Sequence, residues 1–153
     1  MSKFRFKLQK VLELRERLEK ESATQLAAAR HEADLAQQAL RQLQEARQQG
    51  AEEVEKAVEA PTPAGELQQI ALMIEQLEQH LEAAEQAARE ADARVHDRVA
   101  EFEKCVTNRQ VIDKLKERQI ANWREGEQRN DQHTMDAVAI ARYTRKRREG
   151  GQQ

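Results

Sequence analysis

Apolar residues recur every three or four positions along the first part of the chain, which is the spacing of an amphipathic helix. The stripe contains Phe4, Leu8, Val11, Leu14, Leu18, Leu26, Ala29, Ala33, Ala36, Leu40 and Leu43. Two successive steps of four lead from Leu18 through Ser22 to Leu26, and such a stutter locally unwinds a left-handed supercoil. The narrow stripe predicts a coiled-coil helix.

A second stripe with the same spacing follows after residue 66 and is more regular than the first. It contains Leu67, Ile70, Ile74, Leu77, Leu81, Ala84, Ala88, Ala91, Val95, Val99, Phe102, Cys105, Ile112, Leu115 and Trp123. Polar residues on the stripes, such as Arg15 and Arg109, would set the register of pairing and weaken its packing. The chain therefore has two predicted coiled-coil helices, each with one apolar face.

Both prolines of the chain lie in one short break between the two stripes. Proline removes a backbone donor and clashes with the preceding helical turn, so the first helix is expected to end near Glu59. Thr62 is expected to cap the second helix, with Pro63 at its first position. The sequence thus predicts a first helix, a turn, a second helix and a disordered tail, at residues 1–59, 60–65, 66–146 and 147–153.

A turn this short forces the two helices to run antiparallel. Pairing Val58 with Glu66 places Ala33 opposite Ala91, and the second helix then outruns the first beyond about Trp123. The predicted fold is all-α: a long two-helix antiparallel coiled coil, or helical hairpin, with an overhanging C-terminal helix.

Composition agrees with a coiled coil and excludes several classes of function. Of the 153 residues, 35% are charged and only 3% are aromatic, which is too few large rings for a compact core. The single cysteine, Cys105, excludes an internal disulfide and a cysteine metal cage. The sequence has no phosphate-binding loop, nucleophile elbow or metal-binding histidine pair, so we expect no enzyme activity, cofactor or metal. No apolar run is long enough for membrane insertion.

Charge is segregated along the predicted hairpin. Residues 51–103 hold 14 acidic and 4 basic side chains, a net charge of −10, whereas the remainder holds 14 acidic and 22 basic side chains, a net charge of +8. The hairpin tip is therefore acidic and the open end is basic. Such a separation favours different partners at the two ends, and the alternative is an ordinary solvated surface.

Four of the five aromatic residues gather at the predicted open end: Phe4, Phe6, Trp123 and Tyr143. A two-helix rod cannot cover both faces of Phe6, so this ring is expected to be exposed among cations. Such a surface is typical of a docking site. Closure of the coiled-coil end by the same rings is the alternative, and no recognition motif supports binding of nucleic acid.

The two ends of the chain resemble the FliJ family, the flagellar export protein of bacterial type III secretion. Residues 4–15, which read Phe-Arg-Phe-Lys-Leu-Gln-Lys-Val-Leu-Glu-Leu-Arg, are similar to the amino-terminal signature of that family. Residues 135–139, Met-Asp-Ala-Val-Ala, are similar to its carboxy-terminal stretch, although Ala137 stands where an acidic residue is usual. The single hairpin and the long second helix agree with this resemblance.

The resemblance implies a cytoplasmic coiled coil similar to the stalk of rotary ATP synthases, associated peripherally with the inner face of the membrane. Its implied partners are the hexameric flagellar export ATPase, the cytoplasmic domain of the membrane export gate, and export chaperones. We expect ATPase contacts at Phe4, Phe6, Lys7, Leu8, Met135, Val138, Arg145 and Arg147. The implied gate contacts are Ile70, Ile74, Leu77 and Leu81, which also lie on the packing stripe.

Two alternatives to this function remain open from the sequence. One is the equivalent stalk of a virulence type III secretion system, which has the same architecture. The other is a purely structural coiled coil that dimerises through its apolar stripe.

Overall fold

The computed structural model describes residues 3–151 as two long helices that pack against each other. Helix α1 spans Gln9–Val58 and helix α2 spans Ala64–Gly150. None of the described residues is in a strand. This confirms the predicted all-α helical hairpin.

The chain ahead of α1 is not helical, although the first helix is predicted from residue 1. Residues 3–6 have no regular structure, and Lys7 and Leu8 form a turn that leads into Gln9. Cations crowd this stretch, and positive charge is unfavourable at the amino terminus of a helix, where the macrodipole is also positive. The helix begins where the carbonyl of Leu8 accepts the amide of Leu12 at 2.9 Å.

The carboxy-terminal end of the chain is more helical than the sequence predicts. Helix α2 continues to Gly150, so residues 147–150 of the predicted disordered tail are helical. Arg145 forms an ion pair with Glu149 one turn later, at 3.5 Å. Basic side chains in the last turn also favour the helix, because they face the negative end of its dipole. Residues 152 and 153 of the predicted tail, like residues 1 and 2, lie outside the described part of the chain.

Thr62 caps the end of α1, whereas the sequence predicts that it caps the start of α2. Its hydroxyl donates to the carbonyl of Ala57 at 2.7 Å and to that of Ala60 at 3.1 Å. Carbonyls in the last turn of a helix have no partner within the helix, and a side-chain donor satisfies them. The proline-containing turn therefore terminates α1 by hydrogen bonding as well as by excluding further helix.

Pro63 initiates α2. Its carbonyl accepts the amides of Glu66 and Leu67 at 3.1 and 3.3 Å. Proline is suited to this place because its φ is already helical and its missing amide would have no partner there. Glu66 adds a favourable negative charge in the first turn.

The chain divides into two compact units. The first unit comprises Met1–Glu16 and Thr107–Gln153, and the second comprises Arg17–Val106. Each unit contains a part of both helices.

The core of the second unit is a narrow seam made mostly of alanine. The buried apolar residues are Leu26, Ala29 and Ala33 on α1, and Leu81, Ala88 and Ala91 on α2. Small side chains let two helices approach closely, so little area is buried per residue. Polar pairs border the seam and follow the antiparallel order: Gln25 with Arg98, Gln37 with Asp92, and Arg47 with Glu78.

The buried face of α1 differs from the predicted stripe before Leu26. Val11, Leu14 and Leu18 are exposed, whereas Leu12, one residue away from the stripe, is only 3% exposed. The predicted register is therefore wrong over this part of the helix. Between Val11 and Leu26, Arg15 and Ser22 are the positions that the predicted stripe and the observed seam share.

The observed seam in this region needs no stutter. Leu12, Arg15, Glu19, Ser22 and Leu26 follow one another in alternating steps of three and four, and each is buried or half-buried. This is an unbroken heptad pattern. Two of its positions hold charged residues, Arg15 and Glu19, and both are half-buried. A search confined to apolar residues does not find Glu19.

Ser22 is a buried polar residue that lowers the stability of the second unit. The residue is 7% exposed, and its hydroxyl oxygen has no hydrogen-bond partner among the described residues. A buried polar group without a partner lowers stability, because it loses its hydrogen bonds to water without replacement.

Ser22→Ala is therefore expected to raise the free energy of unfolding by about 1 kcal/mol. Thr24→Ala is the matched control, because Thr24 is exposed and its hydroxyl already donates to the carbonyl of Lys20. The control should change stability by less than about 0.5 kcal/mol. Urea titrations followed by circular dichroism measure both. Equal effects of the two substitutions would contradict the burial of Ser22.

Candidate functional site

The amino-terminal stretch covers the helix pair within the first unit. Phe6 is only 7% exposed, and the Nζ of Lys116 lies 5.9 Å from the centre of its ring. The same Nζ donates to the Oε1 of Gln9 at 3.0 Å. The expectation that Phe6 is exposed is therefore wrong. The ring turns onto the helices because the chain before Gln9 is not helical, a freedom that a continuous helix lacks.

Phe4 also packs within the first unit. Its ring lies 5.9 Å from that of Trp123, centre to centre, with the planes inclined at 56°. Tilted pairs at this distance are favourable beyond the area they bury. For Phe4 and Phe6 the geometry favours closure of the coiled-coil end over a free docking surface. Of the amino-terminal residues predicted to contact the ATPase, Leu8 is half-buried and Lys7 is exposed.

A basic cleft remains beside these rings. Its volume is about 840 Å³, and it is lined by Phe4, Arg5, Phe6, Lys7, Gln9, Lys10, Glu13 and Lys116. Four of these residues are cations and one is an acid. The accessible surface at the amino-terminal end is therefore positively charged, and the aromatic rings beneath it are packed against the helices.

The distal segment, residues 128–150 of α2, is exposed along its whole length. It includes the large apolar side chains of Met135, Val138, Ile140 and Tyr143, all of which face solvent. Met135 and Val138, which are predicted ATPase contacts, are therefore accessible.

The middle of the distal segment, residues 135–143, is apolar on nearly every side, and we call it the apolar collar. Seven of its nine residues are apolar or aromatic, and Asp136 and Arg142 are the exceptions. Successive residues point about 100° apart around a helix, so these seven side chains are distributed around the axis. Helices that are apolar all round are normally buried on all sides. The collar therefore fits a partner that surrounds it better than a partner that touches one face.

A basic run follows the apolar collar. It consists of Arg142, Arg145, Lys146, Arg147 and Arg148, all exposed. The ion pair of Arg145 with Glu149 is at the surface, where such pairs contribute little to stability. The main effect of the run is a concentrated positive potential, which attracts an acidic partner over distance.

An apolar groove lies near the turn in the second unit, and we call it the turn groove. It has a volume of about 390 Å³ and is lined by Gly50, Glu53, Val54, Ala57, Ile70, Met73, Ile74 and Leu77. A Cβ added at Gly50 would have no neighbouring atom within 4 Å. Four of the lining residues lie on α1 and four on α2, and those on α2 are all large and apolar.

Three of the four predicted gate contacts lie in the turn groove. Ile70, Ile74 and Leu77 are half-buried there, so part of each side chain stays accessible. Leu81 instead is buried in the alanine seam and is unavailable to a partner in this structure. Met73 also lines the groove and is 69% exposed, although it is not among the predicted gate contacts. Met73 directly precedes Ile74 of the second apolar stripe, and this position is the sequence feature that could have identified it.

The described residues were searched for metal-ligand groups and for membrane-spanning helices. Residues 3–151 include no group of three His, Cys, Asp or Glu side chains arranged to hold a metal ion. Within the same range, no helix has an apolar stretch long enough to cross a membrane.

Comparison with known proteins gives one family. A family model described as "Flagellar FliJ protein" matches residues 4–148 of the chain. The match thus extends from the amino-terminal stretch to the basic run. No curated protein and no solved structure matches the chain significantly.

Proposed function

The chain belongs to the flagellar FliJ protein family and is therefore a flagellar export-related protein; from this premise we propose that it acts as the stalk of the export machinery. Its distal segment binds the hexameric export ATPase, and its turn groove binds the cytoplasmic domain of the membrane export gate. The protein then works in the cytoplasm, at the inner face of the membrane, and escorts export chaperones there.

The apolar collar is the observation that carries the ATPase proposal. A hexameric ring with a central pore would surround a single helix, and the collar is a single exposed helix that is apolar on nearly every side. A flat or grooved partner would leave about half of these side chains in water. Enclosure in a pore would desolvate all of them, and desolvated anchors supply most of the affinity of an interface.

The basic run supports the same proposal. Cations next to an apolar contact raise the rate of encounter with an acidic partner, although they add less to the lifetime of the complex. Arg145 and Arg147, both predicted ATPase contacts, have exposed side chains suited to this role. The amino-terminal residues contribute differently, because Phe4 and Phe6 hold the end of the coiled coil together and Lys7 adds positive charge.

The turn groove supports the gate proposal. Ile70, Ile74 and Leu77 form an accessible apolar floor, and Met73 stands exposed beside them. Two surfaces of opposite charge on separate units fit two different partners. The family match favours the flagellar system over the equivalent stalk of a virulence system.

The proposal predicts that two variants lose different partners in pull-down experiments. Arg145→Glu with Arg147→Glu should lower capture of the cognate export ATPase at least about tenfold, because attraction becomes repulsion. Met73→Lys should lower capture of the cytoplasmic domain of the gate by a similar factor, because it places a charge in an apolar contact. Each variant should bind the other partner as the parent does.

Leu72→Lys is the control for the gate arm, because Leu72 is exposed on the same helix but does not line the turn groove. Circular dichroism should show parent-like helix content in all variants, since the altered side chains are exposed. The opposite assignment of partners, or loss of both partners by one variant, would contradict the proposal.

A further inference from the structure

We infer that the turn groove of one copy of this chain receives the distal segment of a second copy, so that free chains associate head to tail. This inference does not rest on the proposed function, because it follows from the chemistry of two surfaces of the same chain. In such an assembly the turn groove and the apolar collar cover each other when no other protein is bound.

The first argument is charge complementarity. Around the turn groove, residues 47–80 hold seven acidic side chains and two basic ones, Arg47 and Lys56, and Arg47 forms an ion pair with Glu78 at 3.2 Å. In the distal segment, residues 135–149 hold five basic side chains against Asp136 and Glu149. A segment with a net charge of +3 would thus meet a stretch of chain with a net charge of −5. Such opposite potentials favour encounter and fix the orientation of the two partners.

The second argument is that both surfaces combine their charge with apolar area. The floor of the turn groove is formed by Ile70, Ile74 and Leu77, and Met73 stands exposed at its border. The apolar collar presents its own exposed large side chains directly before the basic run. Burial of one against the other would remove both from water.

The third argument is that the two surfaces have similar lengths along the helix axis. Along α1 the turn groove extends from Gly50 to Ala57, which is about 11 Å of helix at the usual rise. The collar spans residues 135–143, which is about 12 Å. A Cβ at Gly50 would have no neighbouring atom within 4 Å, so the groove is open at this position. Glu53 lines the groove and would meet the cations that follow the collar.

Head-to-tail contact has a specific consequence for assembly. Each copy has one turn groove and one distal segment, so the contact joins two different surfaces and leaves one of each free at the ends. Such heterologous contacts extend into open chains unless they close into a ring. Because the attraction is partly between exposed charges, it should weaken as salt rises.

Sedimentation velocity of the full chain at low and high salt tests this inference. At low salt the average mass of the parent should rise with concentration beyond that of two chains, and at high salt it should fall towards one. Met73→Lys should weaken this association at least about tenfold, as should Arg145→Glu with Arg147→Glu. Leu72→Lys, the exposed neighbour outside the groove, should change it less than about twofold.

A mixture of the two disrupted variants gives the sharpest outcome. The Met73→Lys chain retains an intact distal segment, and the Arg145→Glu, Arg147→Glu chain retains an intact turn groove. Each alone should stay monomeric, whereas the mixture should form dimers of one chain of each kind and nothing larger. These results need no export component, so they are independent of the partner assignments.

Three results would overturn the inference. A parent chain that remains monomeric at low salt and high concentration has no such contact. Dimers formed by either variant alone would show that like surfaces pair with each other. A monomeric mixture of the two variants, alongside an associating parent, would show that the contact lies elsewhere on the chain.

Discussion

Val138→Asp and Ile140→Asp should each raise the concentration of chain needed to stimulate the export ATPase by about 100-fold. The two positions lie two residues apart in the apolar collar, so they face nearly opposite sides of the helix. A ring that surrounds the helix desolvates both, and either charge would then be buried without a partner. Neither substitution should affect folding, because both side chains are exposed.

Gln132→Asp is the matched control for this experiment. Gln132 is exposed on the same helix and precedes the apolar collar, so its substitution should leave stimulation within about twofold of the parent. A large loss at one of the two collar positions with parent-like behaviour at the other would indicate a partner that binds one face. That result would contradict enclosure of the distal segment.

Leu12→Ala should lower the free energy of unfolding by about 2–4 kcal/mol, whereas Leu14→Ala should change it by less than about 0.5 kcal/mol. The two leucines lie in the same helix and lose the same atoms, but Leu12 is 3% exposed and Leu14 is 47% exposed. Truncation of the buried one leaves a cavity within the first unit, and truncation of the exposed one leaves none.

Urea unfolding followed by Trp123 fluorescence measures both leucine variants. Trp123 belongs to the same unit as Leu12 and contacts Phe4, so it reports on the packing at that end. The structure predicts that Leu12→Ala is the less stable of the two variants. If Leu14→Ala were less stable instead, the seam would have the register that the apolar pattern predicts, with Val11, Leu14 and Leu18 on it.

The hairpin could be predicted from the sequence because its causes are local. Two stripes with helical spacing and a single break that contains both prolines leave few alternatives to two antiparallel helices. Pro63 directly precedes α2, which begins at Ala64, whereas the sequence predicts this proline at the first helical position. The end of α1 also depends on the hydroxyl of Thr62, which reaches back across the turn to a carbonyl that the sequence does not identify.

The register of the first helix could not be read from apolar residues alone. Arg15, Glu19 and Ser22 occupy seam positions in the structure, whereas Leu14 and Leu18 face solvent. The predicted stripe includes Arg15 and Ser22 but passes over Leu12 and Glu19, because Val11, Leu14 and Leu18 have the same spacing. The heptad becomes visible only when Leu12 is taken as the starting point.

Features of the candidate site that depend on a single helix could be predicted from the sequence. Features that depend on packing between segments could not. The exposure of Met135 and Val138 follows from a second helix that is longer than the first. The burial of Phe6 depends on a non-helical stretch that turns back onto the helices, and no periodic pattern encodes it. The turn groove is lined by residues of both helices, so it exists only once α2 packs beside α1.

Site-specific photo-crosslinking to the assembled export ATPase tests the central claim most directly. A photoreactive side chain is placed at Val138, at Ile140 or at Met73 of the full chain, one position at a time. Enclosure of the distal segment by the ring predicts strong crosslinks to the ATPase from both Val138 and Ile140 and none from Met73. Crosslinks from Met73 with none from the collar would show that the turn end faces the ring, and they would contradict the assignment.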